Sequence, residues 1–327
     1  MVTSMAFDGL SWYKLNRPAT DAEVSSRLQL DRPCAGAAKS SGTVFTATDT
    51  YLEVCDGLYR EKGWGLLVFS TAGLMALAGT VMFLWMATDI SPVIREKGQA
   101  EFAFWGFGTL AVVALCLFAL TVRLLLVDCF NYTRKPVRFN RADRTIYAFR
   151  HNGPGGVLSV PWDSAFLYVE RKPRAGLAGT APRVVRCLVL DGKGLVVNTF
   201  SIGKRAVLAF DERSRAGQQV MEELYQDFEY YRRFMDEGPS SVPPVAELLP
   251  TEVSFRNSLQ MQFDDVPDIL KSGHPLLWLL LAVTALPSLI QATMHYLAQL
   301  TCREPVWPEA VERACTTTAT EAEGLAS

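Results

Sequence analysis

The sequence predicts an α+β membrane protein: three transmembrane helices and one sizeable soluble domain of β-strands capped by a single C-terminal helix. Three observations carry this reading. Long apolar runs with one charge or none occur at 64–87, 102–127 and 275–300. Between the second and third lie short β-prone runs separated by polar turns. From Arg213 to Glu237 the apolar residues take up a helical period.

The first run, WGLLVFSTAGLMALAGTVMFLWMA, holds no charge, and the second holds Arg123 alone. The third begins PLLWLLLAVTALPSLI and ends with Gln291, Thr293, His295 and Gln299. Each reaches the roughly 20 residues that span about 30 Å of hydrocarbon. A buried helix of a soluble protein usually keeps a polar stripe, which the first two lack. Pro287 predicts a kink in the third, of the kind bilayer helices tolerate. Met1 to Thr20 carries Asp8, Lys14 and Arg17 and no apolar run, so insertion is expected from the internal segments. The formal net charge of −2 gives no basic excess and argues against nucleic acid.

Lysines and arginines near the helix ends set the expected orientation. Arg60 and Lys62 precede the first helix, and Arg134, Lys135, Arg138, Arg141 and Arg144 follow the second. The tail holds only Arg303 and Arg313. The basic side is read as the cytoplasm of a bacterial inner membrane. The expected layout is a cytosolic segment 1–63, a helical hairpin 64–127, a cytosolic domain 131–238, a linker 239–274, a third span 275–300 and a periplasmic tail 301–327. Of seven cysteines, Cys302 and Cys315 fall in that tail, where an oxidising compartment would let them pair. No CxxC and no partner histidine point to a metal site, and no metal or cofactor is expected.

Within 1–63, a Gly/Ala/Ser-rich stretch from Cys34 to Gly42 reads as linker. Leu52, Cys55 and Tyr59 share one face of an expected short helix over Asp49–Tyr59. In 131–238, Val137–Asn140 and Thr145–Arg150 flank a polar turn, and Val157–Val160 and Ala165–Val169 flank Pro161-Trp162-Asp163. Val184–Leu190 and Leu195–Phe200 flank Asp191-Gly192-Lys193-Gly194, an Asp-Gly hairpin signal. Val220, Leu224, Phe228, Tyr231 and Met235 then mark the core face of a helix, with Glu229 expected on its other face. Several strands and one capping helix is the order of a pleckstrin-homology-like (PH-like) barrel or sandwich.

RKPVRFNRADRTIYAFR, then VLSVPWDSAFLYV and LVVNTFSIGK, resemble the pattern of bacterial PH-like membrane proteins. The layout over Tyr51–Glu237 is similar to an uncharacterised family of proteobacterial inner-membrane proteins, whose members often sit near type VI secretion and interbacterial toxin genes. The third helix and tail lie outside that resemblance. The resemblance implies no established activity.

Candidate chemistry is sparse, and no GxSxG, HExxH or Walker-type motif occurs. Asp264, Asp265 and Asp268 could hold a metal, but their spacing reads first as a solvated linker face. His274 and His295 each lack a partner histidine, and the glycines of 151–156 read as a loop. No catalytic residue is expected. Arg134, Lys135, Arg138, Arg141 and Arg144 could hold anionic headgroups at about 1 kcal/mol per basic side chain. Ala72, Ala76 and Thr80 form a small-residue ridge suited to helix contact, within one chain or in a homo-oligomer. The expectation is a non-enzymatic inner-membrane interaction protein, an immunity or accessory factor for an interbacterial toxin with a toxin or secretion-system component as partner. The alternative is a membrane-tethered, PH-like lipid- or peptide-binding sensor or scaffold. A transporter is disfavoured by the few intramembrane polar groups.

Overall fold

The computed structural model describes residues 4–7, 11–174, 179–208, 211–264, 266–271, 273 and 275–316. In chain order the strands are β1 (Met5–Phe7), β2 (Trp12–Lys14), β3 (Val44–Ala47), β4 (Tyr51–Val54), β5 (Val137–Asn140), β6 (Thr145–Phe149), β7 (Val157–Pro161), β8 (Phe166–Arg171), β9 (Ala181–Leu190) and β10 (Val196–Leu208). The helices are α1 (Asp21–Ser25), α2 (Trp64–Thr88), α3 (Pro92–Glu96), α4 (Ala100–Cys129), α5 (Arg215–Asp236), α6 (Phe255–Gln262), α7 (Val266–Lys271), α8 (Pro275–Leu300) and α9 (Glu309–Thr316). The chain divides into two compact units. Unit 1 joins Met1–Arg60, Tyr132–Glu252 and Glu304–Ser327, and unit 2 joins Glu61–Asn131 and Val253–Arg303.

Unit 1 holds an antiparallel sheet in the order β3-β4-β5-β6-β7 and a second in the order β10-β9-β8. The sheets are separate, so the expected barrel is not closed. The break falls at Pro161, which has no N–H to donate to a ladder. A single 3-10 turn over Trp162–Ser164 then redirects the chain into β8. The expected helix over Asp49–Tyr59 is corrected. Residues 51–54 are strand β4, registered Leu52↔Phe139 and Val54↔Val137 against a strand more than eighty positions away. That partner is invisible to any local window, and the helical spacing of Leu52, Cys55 and Tyr59 is coincidental.

The core of unit 1 lies where both sheets meet α5. Leu52, Val54, Val137, Phe139, Ile146, Trp162, Leu167, Ile202, Phe228 and Tyr231 pack into it. Phe139 stacks on Tyr231 and meets Trp162 edge-on. Trp162 and Phe228 are fully buried, as the sequence predicts. Ser214 caps α5 by accepting from Gly217 N–H. Glu229, expected on the solvent face, is fully buried. Residues 34–43 run across that face of α5, with Cys34 N–H donating to Glu229 at 3.0 Å and the Thr43 hydroxyl to Asp227 at 3.0 Å. The glycine-rich stretch is a packed strap rather than a free linker.

In unit 2, α2 and α4 form an antiparallel pair joined through α3. Their contact uses small residues: Gly73, Thr80, Ala111 and Ala114 are buried. A Cβ at Gly73 would lie 3.0 Å from the Thr121 hydroxyl, so the glycine permits the close approach. Thr80, the ridge member that is buried, therefore serves contact within the chain, whereas Ala72 is exposed. Asp128, near the end of α4, accepts from Leu66 N–H at 3.0 Å and caps the start of α2. Among the described residues three helices are long and apolar enough to cross a membrane: α2, α4 and most of α8.

The tail gives the largest correction. Trp307, Val311 and Cys315 form one cluster with Phe149 of β6. The tail is part of the same folded unit as the middle domain. That packing speaks against the expected placement of the tail opposite the middle domain.

Candidate interaction site

Strands place alternate residues on opposite faces of a sheet. On β4, β5 and β6 the inner residues are Leu52, Val54, Val137, Phe139, Ile146 and Ala148, all in the core. The outer residues are Tyr51, Glu53, Arg138, Asn140, Tyr147 and Phe149. Pairing aligns Glu53 with Arg138 and Arg138 with Tyr147 across three strands. An outer sheet face of this polarity would ordinarily meet water. Here the tail covers it, and all four residues of β5 are buried.

Arg138 is the centre of the docked face. Its Nε donates to Glu53 Oε2 at 2.5 Å, and its Nη1 lies 3.1 Å from Glu312 of α9. Its guanidinium carbon sits 4.8 Å from the Tyr51 ring centroid and 4.5 Å from that of Trp307. A desolvated guanidinium between two aromatic faces is held by the ring quadrupoles as well as by the carboxylates. Trp307 Nε1 donates to Glu53 Oε2 at 3.0 Å. Asn140 Nδ2 donates to the Ala314 carbonyl at 2.9 Å, and the Thr50 hydroxyl to the Cys315 carbonyl at 2.6 Å. The last carbonyls of α9, which a helix leaves without partners of its own, thus find donors on the sheet. Burial pushes the Cys315 thiol up to about 11, against an opposing pull from Arg138.

The five basic residues expected to meet lipid headgroups do not form an open patch. Arg134 pairs with Glu304 at 2.5 Å and lies over the Phe45 ring. Arg138 is buried as described. Arg144, at φ 52, binds Asp163 at 2.5 Å and Asp236 at 3.0 Å. Arg141 is exposed and Lys135 half-buried. Acids remote in sequence from the cluster neutralise three of the five, a pairing that a count of basic residues cannot reveal. The expected disulfide is not formed either: Cys302 and Cys315 are both free thiols. Cys302 directs its sulfur to the Ala298 carbonyl at 3.1 Å.

A second polar cluster lies in unit 2. Gln291, His295 and Gln299 recur every four residues along one buried face of α8. His295 Nδ1 is 2.9 Å from the Ser258 hydroxyl of α6, and its Nε2 is 3.5 Å from Gln299. Asp264 is exposed. Asp265 and His274 lie outside the described residues, as does the side chain of Asp268. Among the described residues no group of histidine, cysteine, aspartate or glutamate has the geometry of a metal site.

Sequence reasoning missed the docked face. The signal was available: Trp307, Val311 and Cys315 stand at i, i+4 and i+8 beside Glu312, an apolar stripe edged by an acid.

A family model described as a family of unknown function (DUF6708) matches residues 209–319. No curated protein and no solved structure matches the chain. The matched span runs from α5 through α8 to α9. It therefore contains the third apolar helix and the tail, which lay outside the resemblance drawn over Tyr51–Glu237. The chain is similar to that family over this third and takes no activity from it.

Proposed function

We propose that the chain is a non-enzymatic, membrane-anchored interaction protein, in which apolar helices hold a rigid recognition body at a bacterial inner membrane. The observation that supports this reading is how unit 1 spends its charge. Glu229 fastens the strap through Cys34 N–H, Glu53 and Arg138 fasten the tail through Trp307 and Glu312, and Arg144 ties the β5–β6 turn to Asp163 and to Asp236 of α5. Such an investment favours a fixed surface over a mobile catalytic cleft. Within this class we favour an immunity or accessory factor for an interbacterial toxin. The test is to read the genes adjacent to this one and, where one encodes a toxin, to expose cells to that toxin with and without the chain. Survival that depends on the chain, and is lost on exchanging surface residues such as Arg141 and Glu222, supports the role. Killing that is indifferent to the chain overturns it.

A second reading, a PH-like peptide-binding scaffold, draws on the docked tail. The outer sheet face already holds a helix through one arginine, two aromatic rings and two acids. A partner helix carrying a tryptophan and an acid at the spacing of Trp307 and Glu312 would satisfy the same groups. Cross-linking from Tyr147 on that face distinguishes the readings: capture of a second protein supports the scaffold, and capture of the tail alone overturns it.

A further inference from the structure

The chain passes between the two units at four places: 60–61, 131–132, 252–253 and 303–304. Unit 1 is closed across both excursions. β4 pairs with β5 across the first, and Trp307 and α9 dock on the same sheet after the second. A folded polar body stays on one side of a bilayer, so each excursion must return to the side it left. The first does so with two apolar helices, α2 and α4.

The second excursion has one apolar helix, α8. Its other limb is α6 and α7, covering Phe255–Lys271. That limb is shorter than the roughly 20 residues a crossing needs. Its sequence carries Arg256, Asp264, Asp265, Asp268 and Lys271. Each charge at the centre of a bilayer costs about 2.5–3.5 kcal/mol. The limb is no second crossing, and a single crossing by α8 would strand the tail on the far side.

The packing inside unit 2 agrees. α6 runs beside the C-terminal third of α8, through Ser258–His295 and the edge-on pair Phe255–Tyr296 at 5.9 Å. The same third of α8 meets the ends of α2 and α4 that lead to unit 1. Gln291 donates to the Lys62 carbonyl at 3.0 Å, the Thr301 hydroxyl to the Cys129 carbonyl, and Arg303 N–H to the Asn131 carbonyl at 2.9 Å. Towards its start α8 exposes Trp278, Leu279, Leu280, Val283 and Leu286.

We infer that α8 is a lipid-surface helix lying in the leaflet on the side to which the chain returns, and that the chain crosses the bilayer twice. α6 and α7 cover the water side of α8 and keep their charges hydrated. The exposed apolar residues enter the acyl boundary, with Trp278 at headgroup level. The ligand of this surface is a lipid leaflet.

Cysteines introduced singly test the topology: Lys271→Cys before α8, Lys97→Cys between α2 and α4, and Lys193→Cys in the β9–β10 turn. Sealed membrane vesicles of both orientations are treated with an impermeant maleimide, and labelling of the unsubstituted chain is subtracted. Lys271→Cys should label from the side that labels Lys193→Cys and not from the side that labels Lys97→Cys. Labelling from the Lys97 side, or labelling only after detergent, overturns the inference. A nitroxide on Val283→Cys should relax more with oxygen than with a nickel chelate. The reverse order would place α8 in water and also overturn it.

Discussion

Trp307 Nε1 and Glu53 Oε2, 254 positions apart in the chain, are joined by a buried 3.0 Å hydrogen bond. The same carboxylate oxygen binds Arg138. One acid on β4 thus ties together the N-terminal segment, the middle domain and the tail.

Loss of the indole should therefore free the tail. Trp307→Ala is expected to cost about 3–5 kcal/mol, the range for truncating a buried tryptophan. Trp307→Phe keeps most of the packing and should cost about 1–3 kcal/mol, chiefly from the lost hydrogen bond to the Glu53 carboxylate. Urea unfolding in detergent, with limited proteolysis after Glu304 as a second readout, measures both.

The face of α5 that meets the core is tested by three variants. Phe228→Ala should cost about 3–5 kcal/mol. Glu223→Ala, on the exposed side, should stay within about 0.5 kcal/mol of the parent. Glu229→Ala should cost about 1–3 kcal/mol, because it removes the buried acceptor shared by Arg232, Arg233 and the Cys34 N–H. Yields of folded protein and urea midpoints should follow that order.

Glu229 also predicts an acid limb of stability. Burial pushes its carboxyl up, but hydrogen bonds from Arg232, Arg233 and Cys34 N–H outweigh it and hold the group at about 2, against an ordinary 4.5. The native state thus favours the ionised form. This contribution is complete above about pH 4.5 and disappears as pH falls towards 2. Glu229→Gln should flatten unfolding stability over that window relative to the parent, and thermal scans between pH 2 and 6 check it.

Thiol counting separates the free cysteines from a bonded pair. The chain holds seven cysteines. Alkylation in denaturant without reductant should add seven labels by intact mass. Addition of five would indicate that Cys302 and Cys315 had bonded. In the folded protein Cys315 should be among the slow thiols, being fully buried with its thiol raised to about 11.

Strands with a local partner were legible. The turn at Arg141–Arg144 announced β5 and β6, and Asp191–Gly194 announced β9 and β10. The helical period of Leu224, Phe228 and Tyr231 announced α5. What escaped were elements defined by remote partners. β4 needs β5, the strap over 34–43 needs Asp227 and Glu229, and α9 needs the outer sheet face. The ion pairs of the basic cluster escaped for the same reason, since Glu53, Glu304 and Asp236 are far from it in sequence. Lysines and arginines near helix ends are a local signal, while the packing of Trp307 against Phe149 is a remote one.

The division of unit 1 into three stretches of chain also constrains how the protein is made. During synthesis β4 emerges before its neighbour β5, and the whole of α2 and α4 must be delivered to the membrane in between. The outer sheet face then stands uncovered until Trp307 and α9 leave the ribosome, after α8 has been synthesised. A newborn chain therefore spends about half of its translation with Arg138, Tyr51 and Phe149 all made and unshielded, and early termination before Trp307 leaves them so. Quality-control proteases that recognise exposed aromatic and apolar surface have a clear mark by which to separate unfinished chains from finished ones.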